Sequence, residues 1–132
     1  MTVIVDASVV VAALVDSGHV GEWAALQLRG GSLAAPHLMP VEAANVLRRV
    51  ELAGDVSSDV ASLAHADLLE LPVDLYPYEP LADRVWQLRG TITAYDAWYV
   101  ALAESLEATL VTLDERLSTA PGPTCRFEIP TA

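Results

Sequence analysis

Lysine is absent from this chain: all seven basic residues are arginines, set against 18 acids and a net charge of −11. The absence excludes whole classes. Phosphatases that use an aspartyl nucleophile and phospho-receiver domains both place a lysine beside the phosphate, and none is available here. Cysteine is nearly absent too. Cys125 stands alone, so no intrachain disulfide can form, and a reducing compartment suits it. The expectation for a lone thiol is a small buried hydrophobe. No stretch approaches the ~20 apolar residues of a membrane span, and Asp6 interrupts the first apolar run. No basic segment precedes that run, so no targeting signal is read. A cytoplasmic protein without membrane contact is expected.

Other signatures are missing as well. There is no Walker A loop, no G-x-G-x-x-G fingerprint and no G-x-S-x-G elbow. His19, His37 and His65 are too scattered, even with Cys125, for a zinc pattern. The acidic surplus opposes a broad electrostatic grip on nucleic acid, which rests on neutralising phosphates. It leaves room for a local grip through a cation and a few arginines, or for a basic partner.

What is present is an ample core, with 53% hydrophobic residues in 132. A chain of this length falls within the usual size of one domain. Thr2–Asp6 is a nearly continuous β-branched run, the pattern of a strand buried on both faces. Helices are expected over Ala7–Asp16 and Val20–Arg29, the second stopped by Gly30–Gly31. Ser32–Ala35 reads as a short strand. Pro40 sits near a helix start, where its missing N–H does no harm, and that helix runs to about Ala53. Ser57 or Ser58 caps another helix to Leu71. Val73–Tyr76 alternates as a strand, and Pro80–Arg89 forms a helix closed by Gly90. Thr93 and Asp96 make a capping-box pattern opening a helix to Ser105. Thr109–Leu113 is a second apolar strand, and Cys125–Ile129 a last one. Strands alternating with helices imply one α/β unit, residues 1–132, with three α/β/α layers around a central, mainly parallel sheet.

Four acids stand at element ends. Asp6 and Asp114 follow apolar strands, at the strand ends where open α/β sheets place their ligand crevice. Glu42 and Asp96 lie in first helical turns. Asn45 and Arg49 share a helix face with Glu42. Each acid has an ordinary explanation, as a cap or a helix-dipole partner. As a set they are harder to dismiss, because converging carboxylates repel unless protons or a cation intervene. All-oxygen donors suit Mg²⁺ or Mn²⁺.

The same residues carry a resemblance. Ile4-Val5-Asp6-Ala7-Ser8 resembles the first motif of PIN-domain nucleases. Glu42 with Asn45, Leu47 and Arg48 is similar to their second, E-x-x-N-x-L-R. Tyr95-Asp96-Ala97 resembles the third motif, and Leu110-Val111-Thr112-Leu113-Asp114 the fourth. The order and spacing agree over nearly the whole chain, and the small size is similar to that of VapC toxins. The resemblance implies a PIN-like fold and an endoribonuclease using Mg²⁺ or Mn²⁺. Asp6 and Asp96 would be the principal metal ligands, completed by Glu42 and Asp114. Ser8 and Thr112 would brace the acids, against the ordinary alternative of a local backbone bond. One position departs: many relatives carry an acid where this chain has Arg116, which leaves the pattern open between one metal ion and two. The resemblance also implies a cognate VapB-type antitoxin and a homodimer within a hetero-oligomer. Arg48, Arg49, Arg84 and Arg89 are candidates for RNA contact, with surface salt bridging as their ordinary use. Trp23, Trp86, Trp98, Tyr76 and Tyr78 are expected mostly in the core. The competing reading is an acidic α/β binding module whose crevice has lost activity.

Overall fold

A computed structural model describes residues 1–131; Ala132, the last residue of the expected span, lies outside the described residues. Five strands form the sheet: β1 (Thr2–Val5), β2 (Ser32–Pro36), β3 (Val73–Tyr76), β4 (Thr109–Val111) and β5 (Phe127–Glu128). Seven helices accompany them among the described residues: α1 (Ala7–Val15), α2 (His19–Leu28), α3 (Met39–Leu52), α4 (Ser58–Glu70), α5 (Ala82–Gln87), α6 (Ala94–Ser105) and α7 (Glu115–Thr119). A 3-10 turn at Glu79–Leu81 precedes α5.

The strand order is β3-β2-β1-β4-β5, and every pairing is parallel. After β1 the chain builds outward through β2 and β3. It then returns to the other side of β1 for β4 and β5. The order therefore reverses between β1 and β4, the crevice position of open α/β sheets. Ile4, Val5, Leu110 and Val111 are fully buried there, as continuous apolar runs in parallel strands require. The helices pack in two groups, α1–α4 on one another and α5 on α6, with α6 laid along β1, β2 and β4. Gly21 lets α2 approach α1, because a Cβ there would collide with the Asp16 carbonyl oxygen. No single helix among the described residues is long and apolar enough to cross a membrane.

Several expectations change at element ends. The ladder between β1 and β4 stops at Val5 and Val111, so Asp6, Thr112 and Leu113 lie just beyond the strands. The strand at Cys125–Ile129 shrinks to Phe127–Glu128. The alternation expected in β3 is not realised: Leu75 is 41% exposed, because β3 is an edge strand. The helix expected at Pro80–Arg89 divides into the 3-10 turn and α5. Ser57 is the cap of α4, its hydroxyl accepting from the Val60 N–H. Cys125 is half-buried rather than fully buried. Burial and the Glu104 charge push its thiol up to about 11, which keeps it unreactive.

Candidate active site

Backbone pairing sets the first pair of site residues. The Asp6 N–H donates to the Val111 carbonyl at 3.1 Å, carrying the β1–β4 register one step past the ladder. Asp6 and Thr112 therefore leave the sheet side by side. Asp6 caps α1, its Oδ1 accepting from the Ser8 N–H at 3.1 Å. Its Oδ2 accepts from the Thr112 hydroxyl at 2.6 Å. Thr112 is fully buried. Its oxygen also accepts from the Asp114 N–H at 3.1 Å. A single hydroxyl thus ties the backbone of the fourth acid to the carboxylate of the first. The Ser8 hydroxyl does something else: it accepts weakly from the Leu113 N–H at 3.5 Å and touches no acid.

Asp96 arrives from α6. The Thr93 hydroxyl accepts from the Asp96 N–H at 3.1 Å, which forms half of the capping box. The Thr93 side chain also lies close enough to the Asp96 carboxyl to lower it a little, while that carboxyl lines the pocket beside Asp114. Asp114 caps α7 through Oδ1, which accepts from the Arg116 and Leu117 N–H groups at 2.9 and 3.2 Å. The ordinary capping explanation therefore holds for Asp6 and Asp114 alongside any chemical one. Glu42 comes from α3, and its Oε1 accepts from the Tyr99 hydroxyl at 2.7 Å.

The electrostatics show which acids meet. Burial holds the Asp6 carboxyl above its ordinary range; the bonds from Thr112 and Ser8 offset part of this, and the Asp114 charge adds to it. Burial raises Asp96 likewise, with the Asp6 and Asp114 charges adding. Glu42 is raised by burial and by Asp6 and Asp96, against the Tyr99 bond. Each perturbation names another member of the set. Asp6 adds its charge to Glu42 and Asp96, and Asp114 adds its own to Asp6 and Asp96, which makes Asp6 the hub of the set. Asp6, Glu42 and Asp96 are half-buried, while Asp114 is exposed at the rim. A pocket of about 570 Å³ opens there, lined in part by Arg89, Thr93, Asp96, Asp114 and Arg116. Carboxyls raised by burial and by one another's charge, at a cleft, are the pattern of functional sites.

Residues 3–123 match the PIN domain family. The chain belongs to the PIN-domain family. Among curated relatives, ribonuclease VapC1 of Mycobacterium tuberculosis is 41% identical over 131 residues, 96% of each chain. Among solved structures, PAE2754 of Pyrobaculum aerophilum superposes with a TM-score of 0.70 at 30% identity, over 96% of this chain and 83% of that one. VapBC2 of Rickettsia felis, solved bound to a promoter DNA fragment, gives a TM-score of 0.68 at 14% identity over 98% of each chain; that likeness concerns the fold alone.

Not every expected residue of this PIN domain joins the crevice. Asn45 is exposed, and its side chain makes no hydrogen bond among the described residues. Arg84 is held elsewhere, bidentate to Glu104 at 2.6 and 3.0 Å, and Arg48 lines a separate hollow with Glu51 and His65. Arg49 is exposed and, like Arg48, has no ion pair among the described residues. Salt bridging, the ordinary use expected of these arginines, is found only at Arg84. Tyr99 joins the site through Glu42 without being among the expected residues. It lies three residues after Asp96, one turn along the same helix face, and that spacing was the available signal.

Proposed function

We propose that this PIN domain is a metal-dependent endoribonuclease, the toxin of a VapBC-type pair. The observation that carries the reading is the crevice shared by Asp6, Glu42, Asp96 and Asp114 in a relative of VapC ribonucleases. The donor set is all oxygen, none of the four acids has an ion pair among the described residues, and the Asp6 and Glu42 carboxylates are held by protein hydrogen bonds. Among the described residues no three of these acids are placed to hold one ion directly. Mg²⁺ keeps several waters and takes one or two carboxylates, so the reading needs two direct ligands rather than three. Asp6 and Asp96 would hold the ion, Mg²⁺ or Mn²⁺, with Glu42 and Asp114 acting through water. When bound, the cation supplies positive charge against the phosphate oxygens.

The chain's own groups do the rest. Thr112 and the Ser8 N–H fix the Asp6 carboxylate, so its orientation is set before substrate arrives. Tyr99 fixes Oε1 of Glu42 and leaves Oε2 to orient an attacking water and take its proton. A carboxyl with a raised pKa is the better base for that task. Tyr99→Phe removes one hydroxyl and nothing else. We expect RNA cleavage to fall by about 10- to 100-fold, the usual loss for a group that orients a ligand, with the fold intact by circular dichroism. Unchanged cleavage would remove Glu42 positioning from the account.

Cleavage mapping on total cellular RNA, wild type against Asp96→Asn in added Mg²⁺, tests the reading. Discrete cuts in the wild type alone are expected; identical patterns from both would refute it. The partner proposed is a VapB-type antitoxin presenting a basic segment to the acidic crevice, where an arginine can bind carboxylates bidentately. The toxin is proposed to pair as a homodimer within that complex and to act in the cytoplasm. Co-purified complex should be inactive until trypsin removes the antitoxin. Full activity of the intact complex would sink the inhibition model.

A further inference from the structure

Two arginines of the seven line the pocket beside Asp96 and Asp114: Arg89 and Arg116. Arg89 also does something unusual for a surface residue. Its guanidinium lies 4.3 Å from the centroid of the Trp86 ring, and its Nη1 donates to the Trp86 carbonyl at 2.6 Å. Trp86 was expected in the core, yet it is 65% exposed. Its indole stands at the surface with a cation beside it, and that cation lines the pocket that holds Asp96 and Asp114. Arg89 has five N–H donors, and the Trp86 carbonyl takes one of them.

We propose that Trp86 and Arg89 form a stacking platform for a nucleobase of single-stranded RNA, with Arg89 and Arg116 meeting the flanking phosphates. The inference rests on the ribonuclease reading for its substrate class and extends it to a named contact outside the acids. Three physical points support it. A chain with net charge −11 cannot hold RNA by its overall field, so binding needs local contacts that do not depend on net charge. Base stacking on aromatic rings is such a contact, and it accepts any base because every base has a π-face. Unpaired loops are the RNA elements that can splay a base onto such a ring. The Arg89 cation lowers the cost of bringing a phosphate near Asp96 and Asp114. It also joins platform to pocket in one side chain. Arg89 lines the same pocket as Asp96 and Asp114, which puts the Trp86 ring beside the proposed cleavage site.

The test is binding rather than cleavage, in EDTA, by fluorescence anisotropy with a labelled single-stranded oligoribonucleotide. Trp86→Ala should raise the Kd roughly tenfold, the scale of one lost base stack. Trp86→Phe should restore most of the affinity, since a smaller ring still stacks. An oligomer with abasic sites should bind wild type and Trp86→Ala equally. Arg89→Ala should weaken both probes and reduce the salt dependence of binding. Unchanged RNA affinity in a folded Trp86→Ala variant would overturn the proposal. So would unchanged RNA affinity together with loss of self-association or antitoxin binding, which would assign Trp86 to a protein interface. Trp86-dependent binding by a chain that cleaves no RNA would uphold the platform and refute the ribonuclease reading instead.

Discussion

Asp6→Asn is expected to abolish measurable RNA cleavage while leaving the protein as stable as the wild type, or more so. Loss of activity follows from the place of Asp6 as hub: it perturbs Glu42 and Asp96 and is itself perturbed by Asp114. Removing a group that neutralises or orients charge in the transition state costs about two orders of magnitude or more. The stability argument has the opposite sign. The Asp6 carboxylate is desolvated and faces like charge, so ionising it works against the folded state. Asparagine is as good a helix cap as aspartate, and its amide can donate to the Thr112 oxygen. Thermal unfolding without metal should hold or rise by roughly 2–5 °C, the shift that about 1 kcal/mol brings in a chain of this size. A variant that loses both stability and activity would reassign Asp6 to a structural role.

The second large effect is an inverted pH dependence. Asp6, Glu42 and Asp96 all have folded-state pKa values above the ordinary 3.8 to 4.5. Above those ordinary values the folded state therefore binds more protons than the unfolded chain. Stability must fall as pH rises through that window. Most proteins lose stability on mild acidification, because their paired carboxylates have lowered values. Glu104, lowered by Arg84, behaves in that usual way, and its contribution is lost only as pH drops below its ordinary range. In EDTA the melting temperature should therefore be higher near pH 5 than near pH 7. Added Mg²⁺ should raise it at pH 7 by binding the folded state and should flatten the slope, because a cation favours the ionised acids. Asp96→Asn should weaken both effects. A melting temperature that rises steadily from pH 5 to 7 in EDTA would contradict the charge crowding described here.

The acids were legible in the sequence because apolar runs that stop at an aspartate mark the ends of buried parallel strands. Val5-Asp6 and Leu113-Asp114 both read that way, and β1 and β4 proved to be parallel neighbours. Their true ends lie earlier, since hydrophobicity continues past the last ladder pair: Leu113 is apolar but outside the strand. The bond from Thr112 to Asp6 crosses 106 positions, and only the register of β1 against β4 shows that it accompanies the local bond from the Asp114 N–H. Tyr99 escaped notice because its partner Glu42 sits on α3, and no local pattern brings α3 to α6. Trp86 was misplaced for a related reason. Size and hydrophobicity argue for burial, whereas the short helix α5 turns that residue outward. Arg84 and Arg89 look alike in sequence, yet Glu104 occupies one and the pocket rim takes the other.

Titration calorimetry with Mn²⁺ addresses the central claim most directly. The four-acid crevice predicts saturable heat in the wild type that Asp6→Asn and Asp96→Asn each remove and Glu104→Gln leaves in place. Absence of heat, or heat indifferent to Asp6, would leave an acidic α/β module whose carboxylates hold no ion.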